Sequence, residues 1–265
     1  MSFAFYIENV RKKGNMIHSF LLIGQSNMAG RGLLAEAMPV DTKNIKILRN
    51  GRWQRMFRPI NPDRPFSGVN LAESFAEAYA RKYQVEVGLI CCADGGTSLE
   101  QWKLGSLLYD NAVSQARLAA RTSAIAGILW HQGEADCRPE LAATYKERFE
   151  TMINALRKDL QLYDVPVLVG GLGDFLGRCT LDEKLHNYDQ VNAALKRIAE
   201  ENPMTGFVSA EGLGANPDNL HFNAKSLHEF GLRYFEVFEK YRDENKRFEN
   251  KPCEDDALRT KMEEL

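Results

Sequence analysis

The chain has 265 residues, 34 Lys and Arg against 36 Asp and Glu, and a formal net charge of −2. So even a balance excludes the basic footprint of a nucleic-acid binder and a strongly cationic membrane-binding face. With 44% hydrophobic residues the chain is not wholly disordered, yet no apolar run approaches the ~18–20 residues that cross a bilayer.

At roughly 100–200 residues per domain, the length suits one large α/β domain or two small ones. No repeat or Pro/Ser-rich linker divides the chain, so one domain is expected over residues 16–242. Residues 1–15 read as an N-terminal extension before Met16, and 243–265 as a charged C-terminal extension. The first 15 residues lack a basic segment followed by an apolar core and a small-residue cleavage site, so a cytoplasmic address is expected. Five cysteines, an odd number without a CxxC pair, fit a reduced compartment better than a disulfide scaffold. Cys91 and Cys92, adjacent in an apolar run, read as buried strand thiols.

In chain order, strand-length apolar runs alternate with segments of helical period. His18–Gly24 reads as a strand, Ile45–Leu48 as a short one, and Asn70–Gln84 as a helix. Val85–Ala93 reads as a strand, Ser106–Arg121 as a helix, Ile125–Trp130 as a strand, and Leu141–Gln161 as one long amphipathic helix. Pro166–Gly173 is a strand, His186–Asn202 a helix, Thr205–Leu213 a strand and Asn223–Tyr241 a helix. Parallel strands need crossovers of a dozen or more residues, usually helices, so this alternation predicts an α/β fold with a parallel sheet covered on both faces.

In such a sheet ligands bind beyond the carboxyl ends of the strands. The residues that follow those ends are Gln25-Ser26-Asn27, Asp94-Gly95-Gly96, His131-Gln132-Gly133-Glu134, and a loop holding Asp218 and His221. A hydroxyl, glycine amides, a carboxamide and a carboxylate–imidazole pair on one rim are the components of acyl transfer through a serine ester. Ser26 follows a strand and precedes a helix, where it serves either as nucleophile or as helix N-cap. Gly24-Gln25-Ser26-Asn27-Met28 lacks the second glycine of a G-x-S-x-G elbow, which argues against an α/β-hydrolase. Three-residue spacing lets Asp218 fold back onto the Nδ1 atom of His221 and leave Nε2 for the serine proton; the same pair could instead cap the following helix. Gly95-Gly96 allows a backbone N–H to approach an oxyanion, or simply makes a tight turn. Gln132 is either a further donor or a buried polar residue. Trp102 is either a sugar platform or a packing residue. His131, Glu134, Asp136 and His221 could be read as metal ligands, but no HExxH or paired-cysteine spacing supports it, and no metal or other cofactor is expected.

The segments FLLIGQSNMAGRG (20–32), GGTSLEQW (95–102), ILWHQGEADC (128–137) and DNLHFN (218–223) resemble the SGNH hydrolases, in particular the carbohydrate-esterase branch of sialate O-acetylesterases and acetyl xylan esterases. The resemblance implies a flavodoxin-like three-layer α/β/α sandwich and removal of O-acetyl groups from sugars. It implies Ser26 as nucleophile, His221 as general base and Asp218 as its acid. Gly96, the Ser26 amide and Gln132 correspond to the oxyanion hole. Glu134 is the alternative acid, since members of this branch have been read with that glutamate supporting the histidine; guaranteed proximity favours Asp218. The expected partner is a small-molecule or oligosaccharide acetyl ester, with no nucleic acid or membrane, and a homo-oligomer is left open. A lipase- or thioesterase-like SGNH enzyme and a non-catalytic carbohydrate-binding protein are the alternatives.

Overall fold

The octet Ile17–Gly24, apolar from Phe20 to Ile23, is buried at every position and forms β1, the middle of the sheet. A computed structural model describes residues 17–241; the two extensions expected at 1–15 and 243–265 lie outside the described residues. Strands β2 (Ile45–Arg49), β3 (Arg52–Arg55), β4 (Glu86–Cys91), β5 (Ser123–His131), β6 (Val167–Gly170) and β7 (Thr205–Val208) complete a seven-stranded sheet of order β3-β2-β4-β1-β5-β6-β7. β1 lies parallel to both β4 and β5, and burial on both faces accounts for its apolar run Phe20–Ile23. Without β2 and β3 the order is that of a flavodoxin-like sheet, and the chain switches direction on either side of β1.

The expected parallel sheet has one departure: β2 and β3 form an antiparallel hairpin at one edge. Its turn is Asn50-Gly51, with φ of 50° and 74°. Asn-Gly at positive φ is a strong hairpin signal. It goes unread because Arg52–Arg55 carries a single apolar residue, Trp53, too little for a strand pattern. Elsewhere the expected strands run long: pairing ends at Cys91, Gly170 and Val208, and the residues beyond peel away into the rim.

The helices are α1 (Ser26–Ala29), α2 (Ala72–Tyr83), α3 (Leu107–Ala119), α4 (Pro139–Ala142), α5 (Tyr145–Leu160), α6 (Tyr188–Glu201) and α7 (Ala224–Glu239). The single helix expected over Leu141–Gln161 is two, α4 and α5, separated at Ala143 and Thr144, with Thr144 outside helical geometry. α2 and α7 cover one face of the sheet; α3, α5 and α6 cover the other. Phe20 of β1 meets Phe75 of α2 and Phe238 of α7 edge-to-face, with ring centroids 4.7 and 5.5 Å apart. Removing such a buried ring costs about 3–5 kcal/mol. Along β5, Trp130 packs on Phe149 of α5, whereas the next residue, His131, packs on Phe230 of α7. That alternation sends successive residues into opposite layers. No helix of the described residues is long and apolar enough to cross a membrane.

Candidate active site

β1 ends at Gly24, whose φ of 136° suits glycine and whose place admits no side chain: a Cβ would lie 2.1 Å from the His131 carbonyl oxygen. Gln25 then bonds back to that carbonyl, and Ser26 opens α1 at the rim between β1 and β5. As the first amide of a helix, the Ser26 N–H has no intrahelical acceptor, and it has no other protein partner among the described residues.

The nucleophile candidate meets the distant loop. His221 Nε2 lies 3.0 Å from Ser26 Oγ, and His221 Nδ1 lies 2.7 Å from Asp218 Oδ2. Asp218 Oδ1 accepts the N–H groups of Leu220 and His221 at 2.9 and 3.0 Å, so the carboxylate holds both ring and backbone of the histidine. Burial pushes the Asp218 carboxyl upward, but these three donors outweigh it and leave it below the usual carboxylate value. Asn219 at φ 49° makes the turn that brings Asp218 and His221 together.

On the other side of Ser26 stands the Gly95-Gly96 loop. A Cβ on Gly95 would lie 3.5 Å from the Ser26 Cβ and 2.5 Å from an Arg31 guanidinium nitrogen. The loop is held by a buried ion pair: Arg31 grips both oxygens of Asp63 at 2.9 and 2.7 Å, and Asp63 Oδ2 accepts the Gly95 N–H at 2.9 Å. Burial raises the Asp63 carboxyl, yet Arg31, Ser67 and Gly95 together hold it below the ordinary value. Gly96, at φ 79°, has an N–H without a protein partner among the described residues.

Gln132, expected as an oxyanion donor, is bonded within the protein. It is wholly buried, and its amide nitrogen lies within reach of three acceptors: Thr97 O at 3.0 Å, Asp136 Oδ2 at 2.6 Å and Gln25 Oε1 at 3.2 Å. Two amide hydrogens are thus committed to buried acceptors, and the carboxamide braces the segment after Gly96. Glu134, the alternative acid, does not bond to His221; its Oε1 accepts from Asn27 at 2.5 Å. His131 Nδ1 lies 3.9 Å from Glu134 Oε1, while Asp136 turns to other partners. His131 Nε2 faces the Gly171 carbonyl, and Asp136 accepts from Leu99 and Gln132 and pairs with Arg148. Among the described residues no three His, Cys, Asp or Glu side chains converge on a metal position. Trp102 is buried, its indole N–H bonded to Thr97 Oγ1 at 3.1 Å and its ring edge-on to Trp130, so it packs rather than lines the rim. Cys92 is likewise buried, its thiol pushed up to about 12 by desolvation.

Sequence reasoning missed Asn27, Arg31 and Asp63. Asn27 and Arg31 lie within the segment singled out for Ser26, but Asp63 falls in the irregular stretch RPINPDRP, which no periodicity marks.

The sheet and its helical layers have the α/β architecture seen in SGNH hydrolases. The chain belongs to the carbohydrate esterase family described as sialic acid-specific acetylesterase, whose model matches residues 16–240. It is 27% identical over 242 residues to a probable carbohydrate esterase of Arabidopsis thaliana, At4g34215, covering 83% of this chain and 89% of that protein. The crystal structure of the Arabidopsis protein superposes with a TM-score of 0.75 at 26% identity, over 85% of this chain and 98% of the other. NanS matches in fold, with a TM-score of 0.67 at 18% identity over 86% and 98% of the two chains. XAC1771 of Xanthomonas citri, a carbohydrate acetylesterase, matches with a TM-score of 0.61 at 19% identity over 84% and 57%.

Proposed function

We propose that the chain is a serine esterase that removes O-acetyl groups from carbohydrates. The observation that carries this reading is the hydrogen-bonded series Ser26 Oγ, His221 Nε2 and Nδ1, Asp218 Oδ2. In the first half-reaction Oγ attacks the acetyl carbonyl carbon as Nε2 takes its proton. The Ser26 and Gly96 N–H groups receive the oxyanion. The carbonyl then re-forms, the bond to the sugar oxygen breaks, and His221 delivers its proton to that oxygen. Water, deprotonated by the same nitrogen, attacks the acetyl-serine; the bond from the acyl carbon to Oγ breaks, Nε2 returns the proton to Oγ, and acetate leaves. Asp218 keeps the ring in the tautomer that leaves Nε2 free to accept.

The surroundings favour a sugar over a long acyl chain. A cavity of about 390 Å³ beside Gly96 is lined by Ser98, Glu134, Arg138, Asp182 and Lys184 among others, a set of hydrogen-bonding and charged groups ill suited to a hydrocarbon tail. The relatives' names point to acetylated sugars, sialic acids among them.

The test is acetate release from a panel of acetylated sialic acids, xylo-oligosaccharides and simple acetylated hexoses, with p-nitrophenyl acetate and a long-chain ester beside them. Turnover of acetylated sugars is expected, with preference for acetyl over long acyl esters. In Ser26→Ala it should fall by on the order of 10⁶ in kcat. Equal rates for the parent and Ser26→Ala would end the serine mechanism.

A further inference from the structure

Asn27 adjoins the nucleophile in the chain, yet its side chain serves the histidine. Its Oδ1 accepts the Phe222 N–H at 3.1 Å, and its Nδ2 donates to the Leu220 carbonyl at 3.2 Å. Leu220 and Phe222 flank His221, so one carboxamide grips the backbone on both sides of the base. The remaining hydrogen of Nδ2 goes to Glu134 Oε1. Asn27 is 1% exposed and Glu134 5%, so these bonds are largely shielded from water. Each hydrogen of the carboxamide, and its oxygen, has a partner.

The loop bearing the base has other ties. Asn216 N–H bonds to the His221 carbonyl, Ala215 pairs with Phe222, and Asn216 Nδ2 reaches the Arg31 carbonyl. Asn27, however, links that loop to the residue covalently next to Ser26. Any shift of the loop relative to α1 must break this contact. A displacement of about 1 Å at reacting groups can cost on the order of 10² in rate.

We propose that Asn27 is a positioning residue that sets the separation of Ser26 and His221, and that Glu134 acts through Asn27 rather than as the acid partner of His221. This rests on the serine-esterase reading, and it accounts for a buried glutamate in the HQGE segment that has no bond to the base.

The test compares Asn27→Ala, Asn27→Asp, Glu134→Gln and the double variant Asn27→Asp/Glu134→Gln with the parent and Ser26→Ala. The readouts are kcat and KM for p-nitrophenyl acetate, the rate of Ser26 labelling by a fluorophosphonate, and Tm. For Asn27→Ala, kcat and labelling rate should fall together by about 10² with KM nearly unchanged, a split that loss of stability alone does not produce. Asn27→Asp sets two carboxylates face to face and should be worse. Adding Glu134→Gln supplies a donor to Asp at 27 and should restore at least tenfold. Glu134→Gln alone keeps an acceptor for Asn27 and should cost less than tenfold. A loss of ~10⁴ there, the size seen when a triad acid is made neutral, would overturn the proposal. So would parental kcat in Asn27→Ala or a double variant no better than Asn27→Asp. If Asn27→Ala does not fold, the double variant and Glu134→Gln decide the matter. Full activity in Ser26→Ala would instead sink the esterase reading itself.

Discussion

His221 Nε2 stands 3.0 Å from Ser26 Oγ across a sequence separation of 195 residues. The contact is possible because β1 is central and its carboxyl end opens onto the same rim as the loop before α7.

Asp218→Asn should lower kcat for acetyl esters by ~10⁴ with the fold intact, since the amide can present its N–H to Nδ1 and favour the wrong tautomer. The same substitution has a pH signature. The Asp218 carboxyl titrates below its ordinary value in the folded chain. The native state therefore binds this proton less readily than the unfolded state. The stability Asp218 contributes is complete above the unfolded carboxylate value and is lost as pH falls through the folded one. The Tm gap between parent and Asp218→Asn should be widest near pH 7 and close below about pH 4. A gap that widens on acidification contradicts the assignment.

Gln132→Leu separates bracing from catalysis. Loss of the bonds to Thr97 O and Asp136 Oδ2 leaves buried acceptors unmet, a cost of about 1–3 kcal/mol that thermal unfolding should register. Turnover per folded molecule should fall less than tenfold. An unchanged Tm with kcat reduced ~10²–10³ would return Gln132 to the oxyanion hole.

Gly95→Ala and Gly96→Ala should differ although the residues are neighbours. At Gly95 the added methyl meets Arg31 at 2.5 Å and Asp63 at 3.0 Å, so the buried ion pair must move. At Gly96 it meets nothing within 4 Å, and the penalty is the positive φ alone, about 1–2 kcal/mol. Calorimetry should find the lower Tm in Gly95→Ala. The reverse order would mean that the ion pair gives way easily.

His131 supplies a second pH dependence. Burial holds its imidazole below the ordinary value, against the opposing pull of Glu134 and the Gly171 carbonyl. A base that charges less readily when folded contributes stability above its unfolded value, about 6.5, and loses it as pH falls through the folded value. Urea midpoints of the parent should decline from pH 7.5 to 5.5 more steeply than those of His131→Asn. Parallel slopes would show that His131 does not drive the loss.

Much of the architecture was readable in one dimension. Phe20 to Ile23 is apolar without interruption because both faces of β1 are covered, and Phe149, Met152, Ile153 and Leu156 repeat at helical spacing because one side of α5 is buried. The Asp218–His221 pairing was also local, three residues apart. β3 escaped because Trp53 alone faces inward, and the break between α4 and α5 escaped because Ala143 and Thr144 are compatible with a helix. Among site residues, Asp63 and Asn27 have partners far along the chain, Gly95 and Arg31 for one, Leu220, Phe222 and Glu134 for the other. No spacing rule reports such partners.

By itself, then, the order of residues determined the alternation of strands and helices, the rim at the strand ends, and the kinds of side chain delivered to it. Only the folded chain decided how those side chains divide their work. Asp218 holds the histidine ring, Glu134 holds Asn27, and Gln132 is committed to buried acceptors. The reason is physical: periodicity and turn chemistry act over a few neighbours, whereas a hydrogen-bond partner is chosen among atoms brought within about 3 Å by packing, wherever they lie in the sequence.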